Sequence, residues 1–358
     1  DANGHRSRTR YDALGNVKEA TDAEGRSTVY GWGDDGELLI VIDGAGNRKT
    51  YEHDDHANVV AEIDAEGHRT EISRDARGRA VATRFANGAV ERREWDEHNR
   101  LVAVTDARGG VTRLSYDAFN RLVETVDPLG RATRRSYGAG AGGFDTATAV
   151  VRPDGVAVSR TFDGAGSLAS VSDGEGRTWS YRYGAFGVLQ AITDPKGGTL
   201  ALETDIEGRL TTVTNAAGLA WRFERDAAGR VVAEEDFDGR LRRYERDAAG
   251  RVVETQKPDG ARLVYAYDKS DLVTRIESFS PAGEAEDVAR FWYDGRALLI
   301  RAENKAARVE LKRDRNGRIV SETLNGRRIR STRDAMGERI AREIVGEDRG
   351  LVEIVRDP

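Results

Sequence analysis

An all-β fold built from tandem β-hairpins is predicted by three observations. A tyrosine–aspartate signature recurs at a near-constant 21-residue spacing, each period carries two Asp-x-x-Gly turns, and aromatic and charged residues alternate just before each signature. Self-similarity at such a period marks a supersecondary unit that is stable only when stacked on copies of itself. The hairpins are expected to run side by side as one long, spiralling antiparallel sheet.

The first clear copy reads Tyr11-Asp12-Ala13-Leu14-Gly15-Asn16-Val17. Following the aspartate gives Asp12, Asp54, Asp75, Asp96 and Asp117, then Asp163, Asp205, Asp226, Asp247 and Asp268, and finally Asp294, Asp314 and Asp334. Gly33 and Gly184 stand in phase where an aspartate is missing. Glycine follows three residues on at Gly15, Gly78, Gly166, Gly208, Gly229, Gly250, Gly317 and Gly337. A second, weaker mark sits about ten residues after the first, as in Asp22-Ala23-Glu24-Gly25 and Asp106-Ala107-Arg108-Gly109. Asp accepts hydrogen bonds from backbone N–H groups two residues on, and Gly takes the positive φ that such turns need. Two turns in 21 residues leave two strands of about six residues, one hairpin per repeat.

Alternation places strands between those turns. Tyr11, Trp32, Trp95, Tyr116, Phe162, Tyr183, Tyr267 and Tyr293 lie one position before the signature, and Tyr51, Phe223, Tyr244 and Tyr265 lie three before. The position between holds Glu52, Glu94, Arg182, Glu224 and Glu245. Period two puts the rings on one face and the charges on the other. The rings are expected to pack on one another across strands. About sixteen hairpins give roughly thirty strands, a sheet on the order of 150 Å wide that must curl, split or close.

Composition narrows the function classes. The 358 residues have a net charge of −6 and a mean hydropathy of −0.62, fitting a thin sheet with much solvent-facing area. Lys and Arg are interspersed with Asp and Glu, so no basic stripe suggests nucleic acid. Cysteine is absent, which excludes disulfides and thiolate metal sites. No apolar run is long enough to span a membrane as a helix.

The recurring Tyr-Asp-x-x-Gly-Arg-Leu pattern resembles the YD repeat of Rhs (rearrangement hotspot) proteins, and the resemblance covers essentially the whole chain. It implies a hollow β-shell, or cocoon, wound as a spiral strip around another polypeptide. In Rhs polymorphic toxins and type VI secretion effectors that cargo is a C-terminal toxin domain. Insecticidal toxin complexes use a similar cocoon. The expected reading is a partial shell over residues 1–358, a single array with irregular insertions near 137–144 and 278–290. Both ends read as cuts through a longer array. The expected partners are the rest of the shell, an enclosed toxin domain and, through other regions, a secretion spike protein. Synthesis in the bacterial cytoplasm followed by secretion is the expected location. The alternative is a cell-surface or wall-associated module that binds carbohydrate or a receptor.

No catalytic, cofactor or metal residue is expected. Asp127-Pro128-Leu129-Gly130 and Asp194-Pro195-Lys196-Gly197 match the DPxG string at which Rhs cores cleave themselves, yet both fall at ordinary second turns. His53-Asp54-Asp55-His56 sits on a signature turn, and metal sites of His type normally need three or four convergent ligands. Calcium needs six to eight converging oxygens. These turns offer one or two carboxylates, with a cation just after the glycine in Arg26, Arg131, Arg177, Arg209 and Arg230.

Overall fold

The first repeat shows how the sequence builds the sheet. Strand β1 (Arg8–Tyr11) enters the signature turn, β2 (Val17–Thr21) leaves it, and β3 (Ser27–Trp32) follows the second turn. In the computed structural model, which describes residues 1–138, 146–345 and 350–353, this plan recurs throughout. Among the described residues 33 strands form one antiparallel sheet, with a single one-turn 3₁₀ segment at Ala185–Gly187. Strands of five and six residues alternate through most of the chain, as in Leu101–Thr105 and Val111–Tyr116.

Most of the described signature hairpins carry the same irregularity. Tyr11 lies opposite Val17, but Arg10 lies opposite Glu19, so Lys18 is an extra residue on the outgoing strand. The slip recurs between Ser115 and Tyr116, between Arg182 and Tyr183, and between Lys312 and Arg313. One β-bulge per repeat makes the period odd. Two five-residue turns and two equal strands would otherwise sum to an even number. A bulge bends its strand and raises the local twist, so the same bend is applied once every repeat.

The burial pattern follows the predicted alternation. Before the signature, Tyr51 and His53 are half-buried while Glu52 between them is exposed. Interior in the usual sense is scarce. Among the described residues Ala61, Ala103, Ala191 and Ala233 are the buried apolar ones, and no large side chain is fully buried. Each of these alanines lies on the charged face, seven residues after a signature position. Ala61 is flanked by Glu52 and Glu71, which Arg69 ties together across it. Small residues covered by long paired side chains give a one-layer sheet its cover. Each exposed pair contributes only about 0–1 kcal/mol, so ladder pairing and half-buried rings carry most of the stability.

The chain divides into two compact units, Arg93–Tyr244 and a unit joining Asp1–Arg92 with Glu245–Pro358. Residues 139–145 lie outside the described residues, and with them most of the insertion expected near 137–144. At 278–290 the extra length sits in the strands Val273–Phe279 and Ala285–Tyr293, joined by an ordinary turn in which Gly283 N–H donates to Ser280 O at 2.9 Å.

Candidate functional site

The signature turn is a small, closed hydrogen-bonded device. At Asp75 the backbone N–H donates to Arg79 O at 3.0 Å, and Gly78 N–H donates back to Asp75 O at 2.9 Å. The carboxylate does the rest. Its Oδ1 accepts the Arg77 and Arg79 N–H groups, and its Oδ2 accepts Arg79 Nε at 2.7 Å. This is a type I turn closed by a glycine bulge, the common three-residue hairpin loop. The same clamp forms at Asp96, Asp117, Asp205, Asp226 and Asp247, each with the arginine four residues on. Asp12 and Asp54 use Asn16 and Asn58 instead. Asp163, Asp314 and Asp334 make the backbone part of the clamp with Ser167, Arg318 and Glu338.

The residue before the turn's end is left-handed throughout. Gly15, Gly78, Gly166, Gly208, Gly229, Gly250, Gly317 and Gly337 have φ between +77° and +90°, and Ala57, Asn99, Asn120, Asp271 and Ala297 take the place elsewhere. At Gly33, which lacks the carboxylate, Glu37 supplies one from the other end of the turn and accepts Asp35 N–H at 3.1 Å. The two DPxG strings are second turns of this same kind, closed by Asp127 N–H to Arg131 O and Asp194 N–H to Gly198 O.

The signature tyrosine has a role that periodicity alone did not reveal. In most repeats the second strand of the hairpin meets the next over only three residues, as Glu19–Thr21 opposite Ser27–Val29. The carbonyl of Val17 therefore lies beyond that ladder, and Trp32 Nε1 donates to it at 2.8 Å. Tyr116, Tyr137, Tyr267 and Tyr293 hydroxyls donate likewise to Leu101, Leu122, Val252 and Val273 carbonyls at 2.7–2.8 Å. Arg74, Arg225, Arg313 and Arg333 reach the equivalent carbonyls of Val59, Leu210, Leu299 and Ile319. Tyr, Trp and Arg share one property at this position, a long side chain with a terminal donor. Tyr116→Phe is expected to cost about 1 kcal/mol because a carbonyl loses its donor, whereas Tyr116→Arg restores most of it. Urea melts of the two variants decide this, and equal losses in both would remove the donor role.

Guanidinium groups, more than neighbouring rings, cover the signature tyrosines. Arg100, Arg121 and Arg251 lie 4.6–5.0 Å from the ring centroids of Tyr116, Tyr137 and Tyr267 in the following repeat. Each arginine thus serves its own Asp and the next repeat's ring, and Arg251 also reaches Asp268 O and Asp271. Ring-on-ring contact occurs at Trp221, with Phe223 and Phe237. A cation over the face of a ring is an attractive arrangement, and it occupies the surface a sugar would stack on.

Carboxylates so fully engaged titrate low. Side-chain hydrogen bonds from Arg79 and Arg177 hold Asp75 and Asp173 below the ordinary value of 3.8. At Asp96, Asp127 and Asp226 the leading cause is the backbone N–H of Arg100, Arg131 and Arg230. A depressed folded pKa means that the unfolded chain binds protons more readily. The stabilisation is therefore complete above the ordinary value and is lost as pH falls through the folded ones. Stability is expected to be nearly flat from neutrality to about pH 4 and to fall steeply below it. Urea midpoints from pH 5 to pH 2 test this, and a flat profile to the acid end contradicts it.

The structure keeps the signature residues apart, one turn each, and gathers them into no common cleft. His53-Asp54-Asp55-His56 is one such turn, with Asp54 Oδ1 accepting His56 and Asn58 N–H groups. A group of ligand-type residues that sequence spacing could not show is Asp1, His5 and Asp271. Asp271 there is ion-paired with Arg251 at 2.6 Å, and Asp1 Oδ1 accepts the N–H groups of Asn3 and His5.

The unit formed by Asp1–Arg92 and Glu245–Pro358 contains a seam. Second turns of the first segment rest on signature turns of the last. Asn3 donates to Asp247 at 2.9 Å, Lys269 N–H donates to Glu24 at 2.8 Å, and Arg26 lies 3.5 Å from Asp268. Asn316 donates to Asp64 at 2.7 Å and accepts Ala65 N–H, while Arg315 N–H donates to Glu66. The separations of these pairs are 242–252 residues, about twelve repeats. At Gly44 and Gly295 the two backbones touch, and a Cβ on Gly44 would sit 2.1 Å from Gly295 O.

A one-layer antiparallel sheet of tandem hairpins, each closed by the same kind of turn, defines a β-hairpin repeat protein. The RHS Repeat family model matches residues 11–48, 74–111, 95–132, 162–199 and 207–241, and the chain belongs to the RHS-repeat family. No curated protein sequence matches it. Among solved structures, a TcdB2-TccC3-Cdc42 complex is 15% identical over 94% of this chain and 23% of its own, with a TM-score of 0.55. The Photorhabdus luminescens Tc holotoxin pore gives the same four values. A TcdB2-TccC3 structure is 16% identical over 97% of this chain and 24% of its own, at 0.54. At such identities the likeness is one of fold. The chain spans about a quarter of the length of these structures. Among the described residues no helix is long and apolar enough to cross a membrane.

Proposed function

We propose that this chain is a wall segment of an Rhs-type toxin shell, a single array over residues 1–358 whose role is to enclose a toxin domain lying outside this sequence. The observation that carries the reading is the seam. Second turns of the first segment meet signature turns about twelve repeats later within one unit, and rims joined in that way suit a wall that keeps solutes and proteases out. The signature residues serve as structural parts, the Asp and Gly closing turns and the Tyr, Trp or Arg capping carbonyls, and the segment acts without catalysis. Its partners on this reading are the remainder of the shell and the enclosed domain, with delivery by secretion. The glycan-binding alternative is weakened by the guanidinium groups over Tyr116, Tyr137 and Tyr267.

The test uses the full-length gene product under limited proteolysis. A domain C-terminal to the array is expected to resist digestion in the native protein and to be degraded when Gly295→Val opens the seam. Equal digestion of that domain in both proteins would remove the container role.

A further inference from the structure

Among the signature turns one carries an asparagine directly before its glycine, Asn316-Gly317. That pair is chemically labile, because glycine has no Cβ to keep its nitrogen from the asparagine side-chain carbon. The chain holds four Asn-Gly pairs, at Asn3, Asn87, Asn316 and Asn325, and the first and third reach across the seam. Asn316 Nδ2 donates to Asp64 Oδ2 at 2.7 Å, and its Oδ1 accepts Ala65 N–H at 3.1 Å. Within its own turn, Gly317 N–H donates to Asp314 O at 3.0 Å. Both reacting groups are therefore held, the nitrogen by the turn and the carboxamide by the seam. Asn87 gives the comparison. Its Gly88 N–H makes the same turn bond, to Phe85 O at 2.9 Å, and its Oδ1 accepts the N–H of Ala89 two residues on.

The group that faces Asn316 across the seam is charged. Burial works to raise the Asp64 pKa, yet bonds from the His68 N–H and from Asn316 hold it below the ordinary 3.8. Around it lie Glu62, Glu66, Lys49, His68 and Arg318. Lys49 is paired with Glu62 at 2.6 Å, His68 Nδ1 lies 3.1 Å from Asp64 itself, and Glu66 accepts Arg315 N–H. A carboxylate at position 316 would face Asp64 with no donor of its own to offer.

We propose that Asn316 is a deamidation site that the closed seam protects, and that its conversion to an acid keeps an opened seam from closing again. Gly317 N forms a bond to the side-chain carbon of Asn316, the bond from that carbon to the amide nitrogen breaks, and ammonia leaves with the glycine proton. Water then opens the resulting succinimide to aspartate or isoaspartate, and no other reactant is needed. Closure and chemistry oppose each other, so a seam that opens long enough stays open. This follows from the seam's geometry, whatever the wall encloses.

The test incubates the full chain at mildly alkaline pH and follows each asparagine by peptide mass mapping. Asn316 is expected to deamidate at least about tenfold more slowly than Asn87, the factor a hydrogen bond to a charged group is worth. Asp64→Asn removes the acceptor yet keeps the turn, since Asn215 closes a second turn of the same kind by accepting the Ala217 and Leu219 N–H groups at 3.0 Å. That variant should bring Asn316 to the Asn87 rate. Asn316→Asp, one of the products, should quicken hydrogen exchange of the Ala65 and Arg315 N–H groups, which are bonded across the seam, at least about tenfold. Distant hairpins should keep their exchange rates in that variant. Equal rates at Asn316 and Asn87 in the wild-type chain overturn the proposal. So does an Asp64→Asn variant in which Asn316 stays protected, or an Asn316→Asp variant whose seam exchanges no faster.

Discussion

Replacing Gly295 with valine is expected to open the seam and lower stability by about 1–3 kcal/mol, the usual cost of forcing volume into a packed contact. A Cβ at Gly295 would lie 2.4 Å from the Gly44 carbonyl oxygen, and one at Gly44 would lie 2.1 Å from the Gly295 oxygen. Backbone meets backbone on both sides, so no side-chain rotation relieves the clash. The hairpin itself should survive, because its turn is closed by backbone bonds of Asp294, Ala297 and Leu298 in which Gly295 takes no part. Hydrogen exchange should therefore quicken around residues 22–68 and 268–316 ahead of other segments. Gly164 is the control. It has open space around it and no positive φ, so Gly164→Ala should be neutral or slightly stabilising. Unchanged exchange at the seam in Gly295→Val would show that the two rims are not held by this contact.

Valine at Gly229 should cost more than a surface substitution, for two reasons that add. The position has φ +81°, which a β-branched residue resists, and a Cβ there would lie 2.2 Å from Arg209 Nη1. Arg209 is also the clamp on Asp205, so displacing it loosens the neighbouring turn as well. A loss of about 2–3 kcal/mol is expected, and Gly250→Val at φ +90° should behave similarly. Asp35→Ala is the mild comparison. Asp35 engages its turn through its backbone N–H, which alanine keeps. Thermal melts followed by circular dichroism compare the three variants, and equal losses in all of them would overturn the turn assignment.

The sequence announced the hairpins, the two turns and the split of rings from charges, because each is enforced locally and repeated many times. Asp, Gly and alternation act within a few residues, and repetition averages out the exceptions. What stayed hidden acts across repeats. The tyrosine at positions such as 116 reads as a ring to be packed, and its work as a donor emerges only when Arg74 and Trp32 are seen reaching equivalent carbonyls. The bulge did leave a trace, the odd period, which two turns and two equal strands cannot produce. Beside the ring-on-ring packing at Trp221, a clamp arginine lies over each of Tyr116, Tyr137 and Tyr267, since it stands one hairpin before the tyrosine. The seam had no readable signal. Its contacts join residues some 250 apart through turns that would close equally well without them, and Gly44 and Gly295 look like any other turn glycine.

Because the donor that caps the free carbonyl of many repeats comes from the repeat after, the array has a built-in polarity of maturation. A nascent hairpin leaving the ribosome has a bare carbonyl until the next signature residue emerges. At about 5–20 residues per second that takes one to a few seconds, far longer than the microseconds a hairpin needs to form. Folding can thus keep pace with translation and zip from the N-terminus onward, each unit locked by its successor. The rim-to-rim stitches must wait until some 250 residues have been made, so the wall is knitted before it is sewn shut.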